Sequence, residues 1–191
     1  MTDTAHERSG PYRAVLHRWP TALALAVVGL MLADGLGDLP DAVEGLAVPV
    51  LLLQLEYLIL TQLGRRGASW AVVGSLVVVV LVISLLDVVP LEAVLAGLAL
   101  VFLVLGAITG TPYGRGEFGI QAAGMLGFGA IALVALAVDP DLGRYLVAAG
   151  WFLHGVWDVV HLKRDKVVSR TYAEACGVID ISVAAALLFL V

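Results

Sequence analysis

The sequence predicts an all-α membrane protein, a single bundle of seven transmembrane helices. Three observations lead there. Of the 191 residues, 61% are hydrophobic and only 14% are charged, and mean hydropathy is +1.00, whereas a soluble domain carries about 25% charged residues. Mostly apolar runs long enough to cross about 30 Å of hydrocarbon recur seven times. The basic residues are confined to alternate connections between those runs.

Residues 1–20 are polar and bring Arg8, Arg13 and Arg18 ahead of the first apolar run. They read as a cytoplasmic tail leading into a retained first helix, because most of the chain would still span the membrane after any cleavage. Residues 21–191 then form one transmembrane domain, with helices expected at 21–37, 45–63, 70–86, 91–109, 118–138, 143–162 and 171–190. The connections are short, which makes sequence neighbours antiparallel neighbours in space. The tail and the loops at Arg65–Arg66, Arg115 and Lys163–Arg170 hold ten of the eleven Lys and Arg residues. The opposite loops are acidic, with Asp34, Asp38, Asp41, Glu44, Asp87, Glu92, Asp139 and Asp141 against Arg144 alone. The positive-inside rule therefore places the N-terminus in the cytoplasm and the C-terminus outside a plasma membrane. A net charge of −5 with no basic patch excludes a nucleic-acid partner, and the single cysteine, Cys176, excludes an intrachain disulfide.

Pro40, Pro90 and Pro140 stand 50 residues apart, following Asp38, Asp87 and Asp139. Either this is a three-fold hairpin repeat, or each Asp caps a helix whose first turn holds the Pro.

The polar residues concentrate in the halves of the helices nearest the basic loops. In W-F-L-H-G-V-W-D-V-V-H, residues Trp151–His161, the residues His154, Asp158 and His161 stand at i, i+4 and i+7, within about 60° of one another on a helix. Ionisable side chains inside a bilayer are costly and mark function by default. Counting 1.5 Å per residue from the inner helix ends, His154, Asp180 and Glu56 share a level about 11–13 Å deep. Asp158, His161 and Glu174 form a shallower tier, with Gln121 and Tyr172 nearby. The expected site is a cavity open toward the cytoplasmic side or the inner leaflet.

Three chemistries suit that constellation. His154, Asp158 and His161 can ligate a metal, with Asp180 or Glu56 completing a four-coordinate site of the catalytic zinc kind. They can instead be a hydrogen-bonded network that ties helices together. Or the acids work without a metal: desolvation disfavours a carboxylate anion, so Asp180 or Glu56 can donate a proton while His154 and Asp158 hold the acids in their working states. Trp151, Tyr57, Trp157 and Tyr172 offer π faces that attract cations, and Cys176 and Gln121 complete the expected substrate-binding set. No cofactor is favoured, and zinc is the alternative.

Seven spans in about 200 residues, a lone Glu in L-Q-L-E-Y-L and a lone Asp in C-G-V-I-D-I resemble the small integral-membrane terpene cyclases of meroterpenoid and indole-sesquiterpenoid pathways. The resemblance implies that Glu56 and Asp180 are an acid pair protonating an isoprenoid olefin or epoxide in a seven-helix bundle. The chain departs from that family at H-G-V-W-D-V-V-H and lacks a Trp just before Glu56. It is similar also to small bacterial membrane proteins with an H-x3-D-x2-H helix followed by a Cys-x3-Asp helix, which imply no function. The seven-helix zinc amidohydrolases of the ceramidase type place a His-x3-His pair on the last helix, which has no His here, yet a metal-dependent lipid hydrolase stays an alternative. A proton-coupled transporter or channel using His154, Asp158 and Asp180 is the third reading, with helices interrupted near Gly155 and Gly177. The expected partners are membrane lipids or an isoprenoid substrate.

Overall fold

The computed structural model describes residues 18–86 and 88–190, so the tail before Arg18 and the Asp87 position of the 50-residue spacing lie outside the described residues. There is no strand among the described residues, only helices. They are α1 (Trp19–Asp34), α2 (Leu39–Leu63), α3 (Ser69–Leu86), α4 (Leu91–Thr109), α5 (Gly114–Ala137), α6 (Pro140–Arg164) and α7 (Arg170–Phe189), with a 3₁₀ turn, Arg66–Ala68, leading into α3. Five are long and apolar enough to cross a membrane: α2, α3 with its 3₁₀ turn, α4, α5 and α7. With 16 residues, α1 rises only about 24 Å. Although α6 has the length, 25 residues, its buried face carries His154, Asp158 and His161.

Capping chemistry moves several boundaries from their expected positions. Asp38 accepts the Asp41 N–H at 3.2 Å and Asp139 accepts the Leu142 N–H at 3.1 Å. Each is an N-cap followed by a Pro in the first turn, so α2 starts at Leu39 rather than 45 and α6 at Pro140 rather than 143. The middle member of the spacing differs, since Pro90 is itself the N-cap residue of α4 and makes no side-chain cap.

The centre of the bundle is α2, whose second half is buried almost without a break from Val50 to Thr61. It packs against α5 and α6, and α6 pairs most extensively with α7. A Cβ on Gly155 would lie 2.9 Å from Ile181 Cγ1 and 3.2 Å from Asp180 Cβ, so only glycine lets α7 approach this closely. Both α6 and α7 run continuously through Gly155 and Gly177. The expected helix interruptions are therefore corrected: these glycines serve close packing, not a break. Apart from Ser69 and Leu76, no residue of α3 is buried, and α4 buries only Leu95, Ala99 and Gly106. These two helices present broad apolar faces outward.

At the basic end, the turn after α2 is joined to the turn after α6. Arg66 reaches the Asp165 carboxylate at 2.6 Å and donates to its carbonyl at 2.8 Å. The Ser169 N–H donates to Ser69 Oγ at 3.0 Å, and Trp70 Nε1 donates to Thr171 Oγ1 at 3.1 Å.

Candidate functional site

Three helices build the site. On α6, the 3.6-residue period puts His154 and Asp158 one turn apart on the buried face. The neighbouring stretch of α7 supplies Asp180, and the buried half of α2 supplies Gln54, Glu56 and Tyr57. His154, Asp158, Asp180, Glu56 and Tyr57 all have 0% exposure, which corrects the expected accessibility of the site. The expected open inner-leaflet cavity is not what these residues form. They are packed shut, and a large cavity among the described residues lies near the opposite end of the bundle, lined by other residues.

His154 Nδ1 lies 2.8 Å from Asp180 Oδ2 and 3.7 Å from Asp158 Oδ2. The Tyr57 hydroxyl donates to Asp158 Oδ1. Beside them, the Tyr172 hydroxyl donates to Glu56 Oε2. The imidazole of His154 is held edge-on between the rings of Phe128, at 5.1 Å, and Tyr57, at 5.6 Å. Four atoms of this centre are buried with no hydrogen-bond partner among the described residues: His154 Nε2, Asp158 Oδ2, Asp180 Oδ1 and Glu56 Oε1. A buried polar atom left unpaired costs about 1–3 kcal/mol, so these four atoms are where a proton or a bound molecule would find partners. Two carboxylates and one imidazolium would carry net negative charge, so a proton on one acid makes the trio neutral, the form that apolar surroundings favour.

The expected metal set of His154, Asp158 and His161 is corrected. His161 Nδ1 donates to the Trp157 carbonyl at 2.9 Å, which can only accept. Its Nε2 is then left to accept from Gln121 Nε2 at 2.9 Å, so both ring nitrogens are engaged. Among the described residues the ligand-capable cluster is His154, Asp158 and Asp180, whose donor atoms lie within 4.8 Å of one another.

The residues expected to bind substrate are mostly used in positioning. Tyr57 and Tyr172 direct their hydroxyls at the acids, and Cys176 is buried with both of them. Trp151 stands apart in the main core, donating Nε1 to the Leu46 carbonyl at 2.8 Å. Trp157 leans on His161 at 5.2 Å and on Phe128 at 5.9 Å. Glu174 turns away to α1, where Thr21 donates to it at 2.6 Å.

Sequence reasoning passed over Gln54, Glu117 and Phe128. Gln54 Nε2 sits 3.4 Å from Gln121 Oε1, and Gln121 in turn donates to Glu117 at 3.2 Å. Arg164 at 2.6 Å and Lys166 at 2.9 Å hold the Glu117 carboxylate at the basic end. The available signals were a glutamine two residues before Glu56 and a glutamate one helical turn before Gln121. Phe128 carried no polar signal at all.

No family model matches the chain, and no curated protein or solved structure resembles it closely enough to count as a match. The chemistry must be read from the centre itself.

Proposed function

We propose that this chain is a seven-span plasma-membrane protein, N-terminus inside and C-terminus outside, that carries out acid–base chemistry on a lipid-soluble isoprenoid substrate in the manner of a membrane terpene cyclase. One observation carries the reading: Asp180 is gripped through Oδ2 by His154 while its Oδ1 stays buried and unpartnered. A carboxylic acid held that way has one oxygen committed to orientation and the other available to deliver a proton. Asp180 protonates an olefin or epoxide; the new C–H or O–H bond leaves a carbocation, which an internal double bond attacks to close a ring. Loss of a proton from the cyclised cation to the Glu56 carboxylate completes a net isomerisation, and the proton returns to Asp180. Tyr172 and Tyr57 position Glu56 and Asp158, and the ring faces of Phe128 and Tyr57 around His154 suit a passing cation. Because the centre is sealed, the substrate enters only when the helices part. The mechanism uses no metal.

The sealing favours a second reading, a proton-coupled carrier, because an intramembrane His–Asp relay closed from both sides is what occlusion between two open states requires. Both readings meet in one experiment. Membranes carrying wild type, Asp180→Asn and Glu56→Gln are given prenylated or epoxidised substrates, and product is measured. Removing a general acid costs about 10²–10⁴-fold in rate, so both variants are expected to fall that far. Equal activity in all three sinks the cyclase mechanism. Proton-dependent uptake into liposomes that disappears in Asp180→Asn establishes the carrier in its place.

A further inference from the structure

A cavity of about 1000 Å³ opens near the acidic end of the bundle, between α2, α3, α4 and the end of α5. None of the acid-centre residues lines it. Its walls are mainly Val, Leu, Ile and Pro, and its size is at the top of the range for small-molecule pockets, about 300–1,000 Å³. The charged side chains in its described lining are both acids. Glu44 on α2, Glu92 on α4 and Ser84 of α3 all line it, and no Lys, Arg or His is among the described lining residues. A chamber with apolar side chains over much of its wall, two carboxylates, and no cationic side chain among its described lining residues is complementary to one kind of molecule.

We propose that this chamber binds a hydrophobic amine, a molecule with a protonated amino head that sits between Glu44 and Glu92 and an apolar body that fills the space down to Leu52. The ammonium brings the positive charge and the N–H donors that the two carboxylates accept. A phospholipid is a poorer occupant, because its phosphate would enter a lining with two anions and no cation. The site is independent of the acid centre, and its occupancy does not require Asp180 chemistry.

The test uses the full-length protein in phosphatidylcholine nanodiscs, with dodecylamine, dodecanol and dodecyl phosphate as probes at equal membrane fraction. Binding is counted by native mass spectrometry and read independently as a shift in melting temperature. Dodecylamine is expected to bind at one per chain and to stabilise the protein, whereas dodecanol and dodecyl phosphate do neither. The double variant Glu44→Gln/Glu92→Gln is expected to weaken dodecylamine at least tenfold while keeping the wild-type melting temperature without ligand. Asp180→Asn is expected to leave binding unchanged. Dodecanol binding as tightly as the amine overturns the proposal, as does an unaffected double variant. Displacement of dodecylamine by phosphatidylethanolamine in the disc would assign the chamber to a lipid headgroup and likewise overturn it.

Discussion

Replacing Gly155 with Ala tests how the acid centre is assembled, because it strikes the α6–α7 contact and leaves every polar group in place. The added Cβ would sit 2.9 Å from Ile181 Cγ1, 3.2 Å from Asp180 Cβ and 3.5 Å from the Gly177 carbonyl. The Ile181 methylene can rotate away, but the Asp180 Cβ moves only with its backbone, so α7 must give by a few tenths of an ångström. Overpacking of this kind costs about 1–3 kcal/mol, offset by the about 0.5–1 kcal/mol that Ala gains over Gly within a helix. Gly177→Ala is the internal control. Its Cβ would meet Asp158 Cβ at 3.4 Å and the Gly155 carbonyl at 3.7 Å, ordinary contacts that leave the helix gain unopposed. The two variants should therefore differ by about 1–3 kcal/mol in stability. At about 2–4 °C per kcal/mol for a chain of this size, they separate by about 2–12 °C in melting temperature, Gly155→Ala being the lower. Thermal unfolding of the purified variants in one detergent measures this. A Gly155→Ala protein that melts at or above Gly177→Ala would refute the close-approach account of the centre.

Tyr57→Phe and Tyr172→Phe each remove the hydroxyl donor to a buried acid, Asp158 and Glu56 respectively, and each should lower stability by about 1–3 kcal/mol; an unchanged unfolding midpoint would show that those acids find other donors. Purified protein is expected to hold far less than one zinc per chain by elemental analysis. His154 Nδ1 and Asp180 Oδ2, at 2.8 Å, are closer than the about 3.3 Å separating ligands of a tetrahedral zinc bound at 2.0–2.1 Å, and stoichiometric zinc lost in His154→Ala would replace the acid chemistry with metal-dependent hydrolysis. For topology, Cys176 is the single cysteine and is buried, so new cysteines report alone in a Cys176→Ser background. Asp141→Cys should react with an impermeant maleimide on intact cells and Arg115→Cys only after permeabilisation, and the reverse pattern would invert the proposed orientation.

Much of the centre was legible because helix rise is a fixed length. Counting 1.5 Å per residue put Glu56, His154 and Asp180 at one level without knowledge of packing, and the Asp-Pro starts of α2 and α6 follow from cap chemistry alone. The same arithmetic could have separated His161 from the metal set. It shares an azimuth with His154 but lies about 10.5 Å further along the axis, well beyond the reach of one ion. What was not legible depends on contacts made across the bundle. His161 is occupied by a glutamine of α5 and by a carbonyl of its own helix, and nothing in H-x3-D-x2-H announces either. Nor does composition tell an open pocket from a sealed one, since the same apolar residues that would line a cavity here fill it. The chamber near Glu44 and Glu92 lies beside α3 and α4, few of whose residues are buried, and a hydropathy profile does not register it.

The acid centre draws on α2, α6 and α7, and this sets a schedule for its synthesis. The Glu56–Tyr172 hydrogen bond spans 116 residues. At about 5–20 residues per second, α2 enters the membrane roughly 6–23 s before its partner exists. Over that interval the nascent chain carries a mid-helix glutamate whose hydroxyl partner has not been made, while Gln54 waits only 67 residues for Gln121. Ribosome pausing between α5 and α7 would lengthen that exposure. The yield of this protein in a cell is therefore expected to vary with translation speed between α2 and α7, and Glu56→Leu, which removes the buried carboxylate, is expected to be made in larger amounts than the wild type.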